Sequence, residues 1–329
     1  MVVSMNIISL SYIITTRNKF PYLKECIQSL LDNVLPDEEI IVVDGASTDE
    51  SAEYLRKLFN IGKIHQLISE PDLCQAHGTN KAILLARGEL IKLITDDDVY
   101  CYPEIQICKN FMLSHPDIDM LSGNIADSRF DKLSRVVIRS YAERNFLDWL
   151  ENKKRYFWFG DQGLLFRRDQ LPLVGLLHTG VICIDVEMSV RLTSQRQINL
   201  AWYNGILALS TTNPHSNGVR LLNASEYYRI NLDARRIMRF HGSAHTLTSI
   251  FEAIKRRSLR LLKRLAGMNV PSYELVIDDG LHIGNDAKIV TIKESLSFCN
   301  KWLEWYNSLH KGEFIYREKK LNKRLLPDI

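Results

Sequence analysis

The chain lacks a cysteine pattern that would hold a metal ion or a disulfide framework. Its six cysteines are scattered over 329 residues, and no two of them form a CxxC pair. Structural zinc sites and small disulfide-stapled domains both show closely spaced cysteines. This usage argues against both classes and fits a reducing compartment, so we expect a cytoplasmic protein.

Long apolar runs and a strong net charge are also missing. No stretch of 18 apolar residues occurs, so no transmembrane helix is predicted. The apolar run Ile7–Ile14 has neither a basic segment before it nor a cleavage site after it, and it indicates a strand rather than a signal peptide. A net charge of +3 is too weak to indicate a nucleic-acid partner.

The common nucleotide-binding fingerprints are absent. No GxGxxG follows the first predicted strand, which argues against a NAD-dependent Rossmann enzyme, and no GxxxxGK[ST] supports a P-loop NTPase. A nucleotidyltransferase would normally begin with a loop rich in glycine and basic residues. The loop Thr15–Asn18 is not of that kind.

The N-terminal half instead alternates short apolar strands with amphipathic helices. The predicted strands are Ile7–Ile14, Glu39–Val43, Ile64–Ile68, Leu90–Ile94 and Ile118–Leu121. Strands separated by helices of about 10–15 residues form right-handed βαβ units. The pattern predicts an α/β fold, a Rossmann-like and mainly parallel sheet flanked by helices.

A polar turn follows each of the first four predicted strands. The turns are Thr15–Arg17, Asp44–Gly45, Glu70–Asp72 and Asp96–Asp98. Parallel strands place such turns along one edge of the sheet, where ligands bind in open α/β folds. Three consecutive carboxylates repel one another unless a hard divalent cation lies among them. A solvated acidic turn that caps the next helix is the alternative, and Ser47 and Asp49 are expected to be helix caps.

Taken in order, these segments resemble the family 2 glycosyltransferases of GT-A fold. The resemblance covers residues 5–125 and includes the motifs TTRN at 15–18, VVDGASTD at 42–49, SEPD at 69–72, NKA at 80–82 and DDDVY at 96–100. It implies a nucleotide-sugar site with Mg²⁺ or Mn²⁺ on the diphosphate and a UDP-sugar as the usual donor. The residues implied for the nucleotide-sugar are Thr15, Thr16, Arg17, Asp44, Asp72, Asn80, Lys81 and Asp96.

The same resemblance implies that the acidic turn carries the metal. Alignment of Tyr100 with an aromatic residue of the family makes Asp97 the best-placed ligand, with Asp98 beside it. Which two of Asp96, Asp97 and Asp98 bind the ion stays open. One departure from the family is His77, which stands where many members carry an aspartate; it either replaces that contact or is a surface residue.

The acceptor side carries a fainter resemblance. Residues 159–168 are similar to a strand in which many members have a histidine, here replaced by Asp161. Residues 184–192 resemble the segment that supplies the catalytic base, which makes Asp185 the candidate base and Glu187 the second candidate. Asp185 as a mere cap of the helix is the alternative. The resemblance also implies an in-line displacement with inversion, in which the base and the metal lie on opposite sides of the sugar carbon.

Four aromatic residues on the acceptor side allow two interpretations. They are Trp149, Tyr156, Phe157 and Trp158. They either stack on a sugar or pack in the core, and core packing is the default for such residues. The segment 129–156 around them is expected to cover the acceptor pocket.

We therefore divide the chain into a GT-A domain at 1–215 and a mostly helical C-terminal extension at 216–329. Within the domain, residues 1–125 form the nucleotide-sugar half and residues 126–215 the acceptor half. His215 is a weak candidate near the diphosphate. The basic stretch Lys255–Arg264 either lies against an anionic membrane at the inner face of the cell membrane or is a solvated helix.

The function predicted in this way is an inverting transfer of a sugar from a nucleotide-sugar to a glycan or lipid-linked saccharide acceptor. The alternative is a non-catalytic scaffold of the same fold in a polysaccharide assembly complex. The change to Asp161 and the presence of His77 favour the scaffold. The acidic turn and Asp185 favour the enzyme.

Overall fold

The structure is a computed structural model that describes residues 7–130, 132–213, 216, 224–241, 274–277 and 291–317. Its strands are β1 (Leu10–Thr16), β2 (Glu38–Asp44), β3 (Gln66–Ser69), β4 (Leu90–Ile94), β5 (Val99–Tyr100), β6 (Met120–Arg129), β7 (Lys132–Ile138), β8 (Leu165–Arg167), β9 (Leu200–Thr212), β10 (Glu274–Ile277) and β11 (Phe314–Ile315). Its helices are α1 (Phe20–Leu31), α2 (Ser51–Asn60), α3 (Gln75–Leu85), α4 (Tyr102–Ser114), α5 (Ser140–Leu150), α6 (Leu171–Val174), α7 (Ile184–Gln195), α8 (Ala224–Phe240) and α9 (Ile292–Leu309). Short 3₁₀ turns lie at Asp161–Gly163 and Arg168–Gln170.

Four parallel strands form the part of the sheet that carries the predicted motifs. Their order is β3, β2, β1, β4, and each is parallel to its neighbours. The apolar runs that predict them are buried on both faces, as in β2 from Ile40 to Val43. Helices α1 and α2 pack on one face and α3 on the other. The predicted α/β class is therefore confirmed, although β3 begins two residues later than predicted.

The sheet continues through strands of mixed direction. β8 is antiparallel to β4 and β6, while β6 is parallel to β9 over its whole length. β6 extends to Arg129, eight residues beyond the predicted end at Leu121, because β9 supplies a full set of backbone partners to the polar residues that follow. Strand β7, which lies inside the predicted covering segment 129–156, pairs with β6 and was missed.

The described part of the C-terminal region packs on this core. Helix α9 buries Trp302 and Leu303 against β5, β7 and β9. Strands β10 and β11 add to β7 and β9. The helical character of the region is confirmed, whereas the boundary at residue 215 stays a prediction. None of the helices in the described ranges is long and apolar enough to cross a lipid bilayer.

Candidate active site

A cleft of about 500 Å³ opens at the carboxyl ends of β1 and β4. It is lined by Thr15, Thr16, Arg17, Asn18, Lys19, Asp72, Leu73, Cys74, Gln75, Thr95, Asp96 and Asp97. Five of the predicted nucleotide-sugar residues and one predicted metal ligand are in this set. The parallel sheet thus brings three of the four polar turns to one place, as the position of turns after parallel strands predicts. We call this space the donor cleft.

The floor of the donor cleft is fixed by hydrogen bonds between the loops after β1 and β2. The Asn18 side-chain oxygen accepts from the Thr48 backbone N–H at 2.7 Å, and the Asn18 N–H donates to the Ser47 hydroxyl at 2.9 Å. Asp49 accepts from the N–H groups of Phe20 and Ser51, so it serves the starts of two helices. Ser47 and Asp49 therefore support the loops.

Asp44 lies at the end of β2 with its carboxylate fully buried. It accepts a hydrogen bond from the Ser69 hydroxyl at 2.6 Å and from the Ser47 N–H at 3.1 Å. It joins the turns after β2 and β3. Asp44 does not line the donor cleft as described, and its predicted contact with the nucleotide stays a prediction.

Asp72 reaches the donor cleft through a gap that only glycine permits. A Cβ atom at Gly78 would lie 2.6 Å from Asp72 Oδ2, and one at Gly45 would lie 3.1 Å from the same oxygen. Lys81 donates to Asp72 Oδ1 at 2.9 Å and is also paired with Glu70 at 2.8 Å. Lys81 thus holds the Asp72 carboxylate in place and does not itself line the cleft.

Both polar groups of the Asn80 side chain form hydrogen bonds with the protein backbone. Its side-chain amide donates to the Leu177 carbonyl and its side-chain oxygen accepts from the Leu177 N–H, both at 2.9 Å. This pairing anchors the 177–183 segment, which leads to α7, onto α3. His77, which stands where many family members carry an aspartate, accepts from the Leu73 N–H. Its ring nitrogen lies 3.8 Å from Asp72 Oδ1, so His77 is next to a residue that lines the donor cleft.

The three aspartates after β4 have different surroundings. Asp98 accepts from the Thr211 N–H at 2.6 Å, from the Thr95 hydroxyl at 2.7 Å and from Gln162 at 3.3 Å. It lines a separate space of about 380 Å³ between α1 and α9. Its predicted role as a metal ligand is not tested, but its carboxylate is tied to β9 and lies outside the set that lines the donor cleft.

Asp96 and Asp97 are the two carboxylates of the acidic turn that line the donor cleft. Burial and the neighbouring charge of Asp97 raise the pKa of Asp96 to about 7, while the ammonium of Lys19 opposes that shift. Lys19 Nζ lies 2.7 Å from Asp97 Oδ2, and the Asn213 amide donates to the same oxygen at 3.1 Å.

A divalent cation fits this pair when a diphosphate completes its shell. Mg²⁺ commonly binds through one or two carboxylates together with substrate phosphates. Burial first and the charge of Asp97 second raise the pKa of Asp96, and a bound cation would favour the ionised carboxylate against both. No cluster of three or more histidine, cysteine, aspartate or glutamate side chains suited to a metal occurs within the described ranges. Within the described residues, the protein by itself therefore supplies few ligands to such an ion.

Asp185 lies in the first turn of α7 and is not its cap. The N-terminal cap position is Cys183, and no side-chain capping bond is formed there. Asp185 Oδ2 instead accepts from the Trp158 indole N–H at 3.2 Å. Burial raises the pKa of Asp185, and its hydrogen bonds, including the one from Trp158, act in the opposite direction. A carboxylate with a raised pKa that is oriented by a side-chain donor suits a general base.

Glu187, the second candidate base, is engaged elsewhere. It is buried, pairs with Arg191 at 2.8 Å and lies 3.2 Å from His241. These partners tie α7 to the end of α8, and they leave Asp185 as the carboxylate of this turn that faces Trp158.

Asp161 adds a second acid beside Asp185. Burial and the charge of Asp185 raise the pKa of Asp161 to about 6, and the cations Lys92 and Arg139 lower it. Lys92 is fully buried and donates to the carbonyls of Leu93 and Gln162. The residue that replaces the family histidine is therefore part of a buried charged group next to the candidate base.

The donor cleft and the Asp185 region share a wall. A small cavity between them is lined by Thr15, Gln75, Thr79, Thr95, Asp161, Gln162, Leu177, Ile184 and the apolar ends of β1 and β4. Three of its residues also line the donor cleft, and Ile184 precedes Asp185. A further space of about 570 Å³, bordered by Arg229 and Arg236 of α8, shares Gln75 with the donor cleft. Asp161 and Ile184 thus border a cavity that adjoins the donor cleft.

Two of the four aromatic residues that the sequence singles out on the acceptor side are partly exposed. Trp149 and Phe157 are buried in the core, which is the default interpretation. Trp158 and Tyr156 are partly exposed, and Trp158 stacks on Tyr141 with ring centres 5.7 Å apart.

Three residues of the site, Lys19, Gln75 and Tyr141, were not predicted from the sequence motifs. The position of Lys19, directly after TTRN at a helix start, was the available signal for it.

Two predicted features lie outside the described residues. They are the weak candidate His215 and the basic stretch Lys255–Arg264. All six cysteines lie inside the described ranges and are unpaired, in agreement with the absence of a disulfide framework.

Comparison with known proteins supports the family resemblance. Residues 11–165 match the model for glycosyl transferase family 2. The glycosyltransferase GlyG of Streptococcus pneumoniae is 28% identical over 116 residues, which cover 35% of this chain and 38% of GlyG. The UDP-Gal:alpha-D-GlcNAc-diphosphoundecaprenol beta-1,3-galactosyltransferase of Escherichia coli is 23% identical over 155 residues, 47% of this chain and 56% of that enzyme. The chain thus spans less than two thirds of either relative.

Solved structures show the same fold. TarS 1–349 of S. aureus in complex with UDP has a TM-score of 0.51 at 16% identity, covering 74% of this chain and 68% of that one. The mannosyltransferase PcManGT of Pyrobaculum calidifontis, in complex with GDP-Man and Mn²⁺, has a TM-score of 0.50 at 15% identity and covers 90% of this chain and 87% of its own. At these identities the likeness is one of architecture.

Proposed function

Since residues 11–165 belong to glycosyltransferase family 2, we propose that the chain transfers a sugar from a nucleoside-diphosphate sugar to a hydroxyl group of a glycan or lipid-linked saccharide, with inversion. The observation that supports the proposal is that Ile184, which precedes Asp185, lines a small cavity that shares Thr15 and Thr95 with the donor cleft. An in-line displacement requires a base on the side of the anomeric carbon opposite the departing diphosphate, and therefore close to the donor.

In this proposal the donor cleft binds the nucleotide. Asp72, fixed by Lys81 and admitted by Gly45 and Gly78, accepts hydrogen bonds from the base or ribose. Arg17, exposed at the rim, contributes positive charge for the diphosphate. A UDP-sugar is the donor that we favour, because the Escherichia coli relative is named for UDP-Gal and TarS binds UDP.

Asp96 and Asp97 would hold the divalent cation, so Asp96 takes the place first given to Asp98. When bound, a Mg²⁺ or Mn²⁺ ion neutralises the charge that develops on the departing diphosphate. The presence of Mn²⁺ with GDP-Man in PcManGT is consistent with this assignment. Asp98 keeps the turn in position through its bonds to β9.

Asp185 then accepts the proton of the acceptor hydroxyl. Its Oδ2 is oriented by Trp158, and the stacked pair Trp158 and Tyr141 offers a flat apolar surface on which a sugar ring can rest. The name of the Escherichia coli relative, which acts on a diphosphoundecaprenol-linked sugar, supports a lipid-linked acceptor as one candidate class. Contact with an anionic membrane through the basic stretch Lys255–Arg264 is a further part of the proposal.

Donor turnover tests the proposal against the scaffold alternative. The native chain is incubated with UDP-sugars, GDP-sugars and Mn²⁺, with and without saccharide acceptors, and release of the nucleoside diphosphate is followed. We expect release that depends on acceptor for one donor class, and a fall of about 10²–10⁴-fold in Asp185→Asn. Glu187→Gln is the matched control, because it neutralises a carboxylate of the same turn. Nucleotide binding without any turnover would favour the scaffold.

A further inference from the structure

Lys19 occupies a position that a solvated lysine would not take. It directly precedes α1, and its side chain is 7% exposed. Its ammonium lies 2.7 Å from Asp97 Oδ2, an oxygen that also accepts from Asn213. Lysine is almost never buried in this way unless it is paired.

The helix start makes this position electrostatically unfavourable. The N-terminal end of a helix carries partial positive charge, which disfavours an ammonium there. The first turn of α1 contains no acidic residue that would compensate. The placement of Lys19 is therefore stabilised by the acidic turn after β4, which lies 78 residues further along the chain.

The ammonium and a divalent cation compete for the same carboxylate, that of Asp97. Asp97 Oδ2 already has two donors, and the Asp98 carboxylate accepts from Thr95, Thr211 and Gln162. An ion bound by Asp96 and Asp97 would meet the positive charge of Lys19 within a few ångströms, where the repulsion is large. The flexible four-carbon stem of lysine lets the ammonium move away, and Lys19 also lines the donor cleft.

We propose that Lys19 is an exchangeable counter-ion: it neutralises Asp97 in the metal-free protein, leaves that carboxylate when a divalent cation binds, and then pairs with the diphosphate of the donor. The last step rests on the proposed function. Two consequences follow. The metal alone binds weakly, because it must displace Lys19. The metal and the nucleoside diphosphate bind cooperatively, because the diphosphate provides the anion that Lys19 has lost.

The variant Lys19→Met tests separately whether Lys19 competes with the metal and whether it pairs with the diphosphate. Mn²⁺ affinity without nucleotide is measured by electron paramagnetic resonance of free Mn²⁺, and UDP affinity is measured by calorimetry at saturating Mn²⁺. We expect Lys19→Met to bind Mn²⁺ about tenfold more tightly, and UDP about tenfold more weakly, than the native chain. The matched control is Lys24→Met, which removes the same charge from an exposed position on α1 and is expected to change neither affinity.

Provided that the native chain binds a nucleotide, opposite changes in the two affinities support the exchange, and any other pattern overturns it. If Lys19 is only a structural partner of Asp97, both affinities fall together. Lys19→Gln keeps a donor for Asp97 without the charge, so it is the second variant if Lys19→Met does not fold. If neither variant folds, Lys19 is required for structure and the proposal fails. If the native chain binds no UDP, GDP or dTDP, the proposed donor function fails, while tighter Mn²⁺ binding by Lys19→Met still supports exchange at Asp97.

Discussion

The indole N–H of Trp158 donates to Oδ2 of Asp185 at 3.2 Å, and the two residues lie 27 positions apart in the chain. The bond is the side-chain contact that orients the candidate base. It also favours the charged form of the carboxylate and so lowers the pKa of Asp185, whereas burial raises it.

Replacement of Trp158 by phenylalanine keeps an aromatic ring and removes the donor. We expect a kcat about tenfold lower with an unchanged affinity for UDP, because the base loses its orientation and the donor cleft is untouched. The pKa of Asp185 should rise, so the acidic limb of the pH–rate profile should move to higher pH. Kinetics from pH 5 to pH 8 measure both effects. An unchanged profile would show that the bond has no part in catalysis.

A methyl group at Gly78 should close the gap that admits Asp72. Alanine normally stabilises a helix relative to glycine by about 1 kcal/mol. Here its Cβ would lie 2.6 Å from Asp72 Oδ2, so the Asp72 carboxylate must shift from the position that it holds in the donor cleft. We expect UDP affinity to fall at least about tenfold in Gly78→Ala, the equivalent of about 1.4 kcal/mol. Calorimetry measures it. Gly45→Ala, with its Cβ at 3.1 Å, should lose less, and the reverse order would contradict this account.

Replacement of Asp98 should mainly lower the free energy of unfolding, whereas replacement of the neighbouring Asp97 should mainly lower the metal affinity. Asp98→Ala leaves the Thr211 N–H and the Thr95 hydroxyl without their acceptor, and we expect a loss of about 1–3 kcal/mol in the free energy of unfolding. Asp97→Ala should lower metal affinity and change the unfolding free energy less, since Lys19 can then turn toward the solvent of the cleft. Urea unfolding and Mn²⁺ titration of both variants test the contrast. A strong metal defect in a fully stable Asp98→Ala would make Asp98 the ligand.

The buried Lys92 should give the stability of the fold a pH dependence. Desolvation lowers the pKa of Lys92 to about 7, below its value in the unfolded chain, and the charge of Asp161 opposes the shift. Between about pH 7 and pH 10 the unfolded chain then binds more protons at this group than the folded chain does. The free energy of unfolding of the native chain should therefore rise with pH across this window relative to Lys92→Met. Urea unfolding at pH 7, 8.5 and 10 provides the comparison, and a difference that is constant with pH would contradict it.

The sequence predicted the part of the fold in which local pattern and tertiary environment agree. The run Leu90–Ile94 is apolar except for Lys92 and is followed after Thr95 by three acids, so both the buried strand and its acidic turn could be placed. The extension of β6 to Arg129 could not, because residues 122–129 are largely polar and become a strand only by pairing with β9, about 80 residues away.

The site was predictable at the level of turns and not of single side chains. Parallel strands bring the polar turns together, but the direction of Asp96, Asp97 and Asp98 depends on which of them meets Thr211 of β9. Asn80 belongs to the family motif, yet its amide is taken by the backbone of Leu177. Contacts made across such separations leave no periodic signal in a single sequence.

The most direct test of the central claim is calorimetric titration of UDP, GDP and dTDP into the native chain and into Asp97→Ala, each with and without Mn²⁺. We predict that one nucleotide, UDP, binds the native chain more tightly with Mn²⁺, and that Asp97→Ala loses at least about tenfold of the affinity measured with metal. Absence of binding by all three nucleotides in both conditions would contradict a nucleotide-sugar site at the donor cleft.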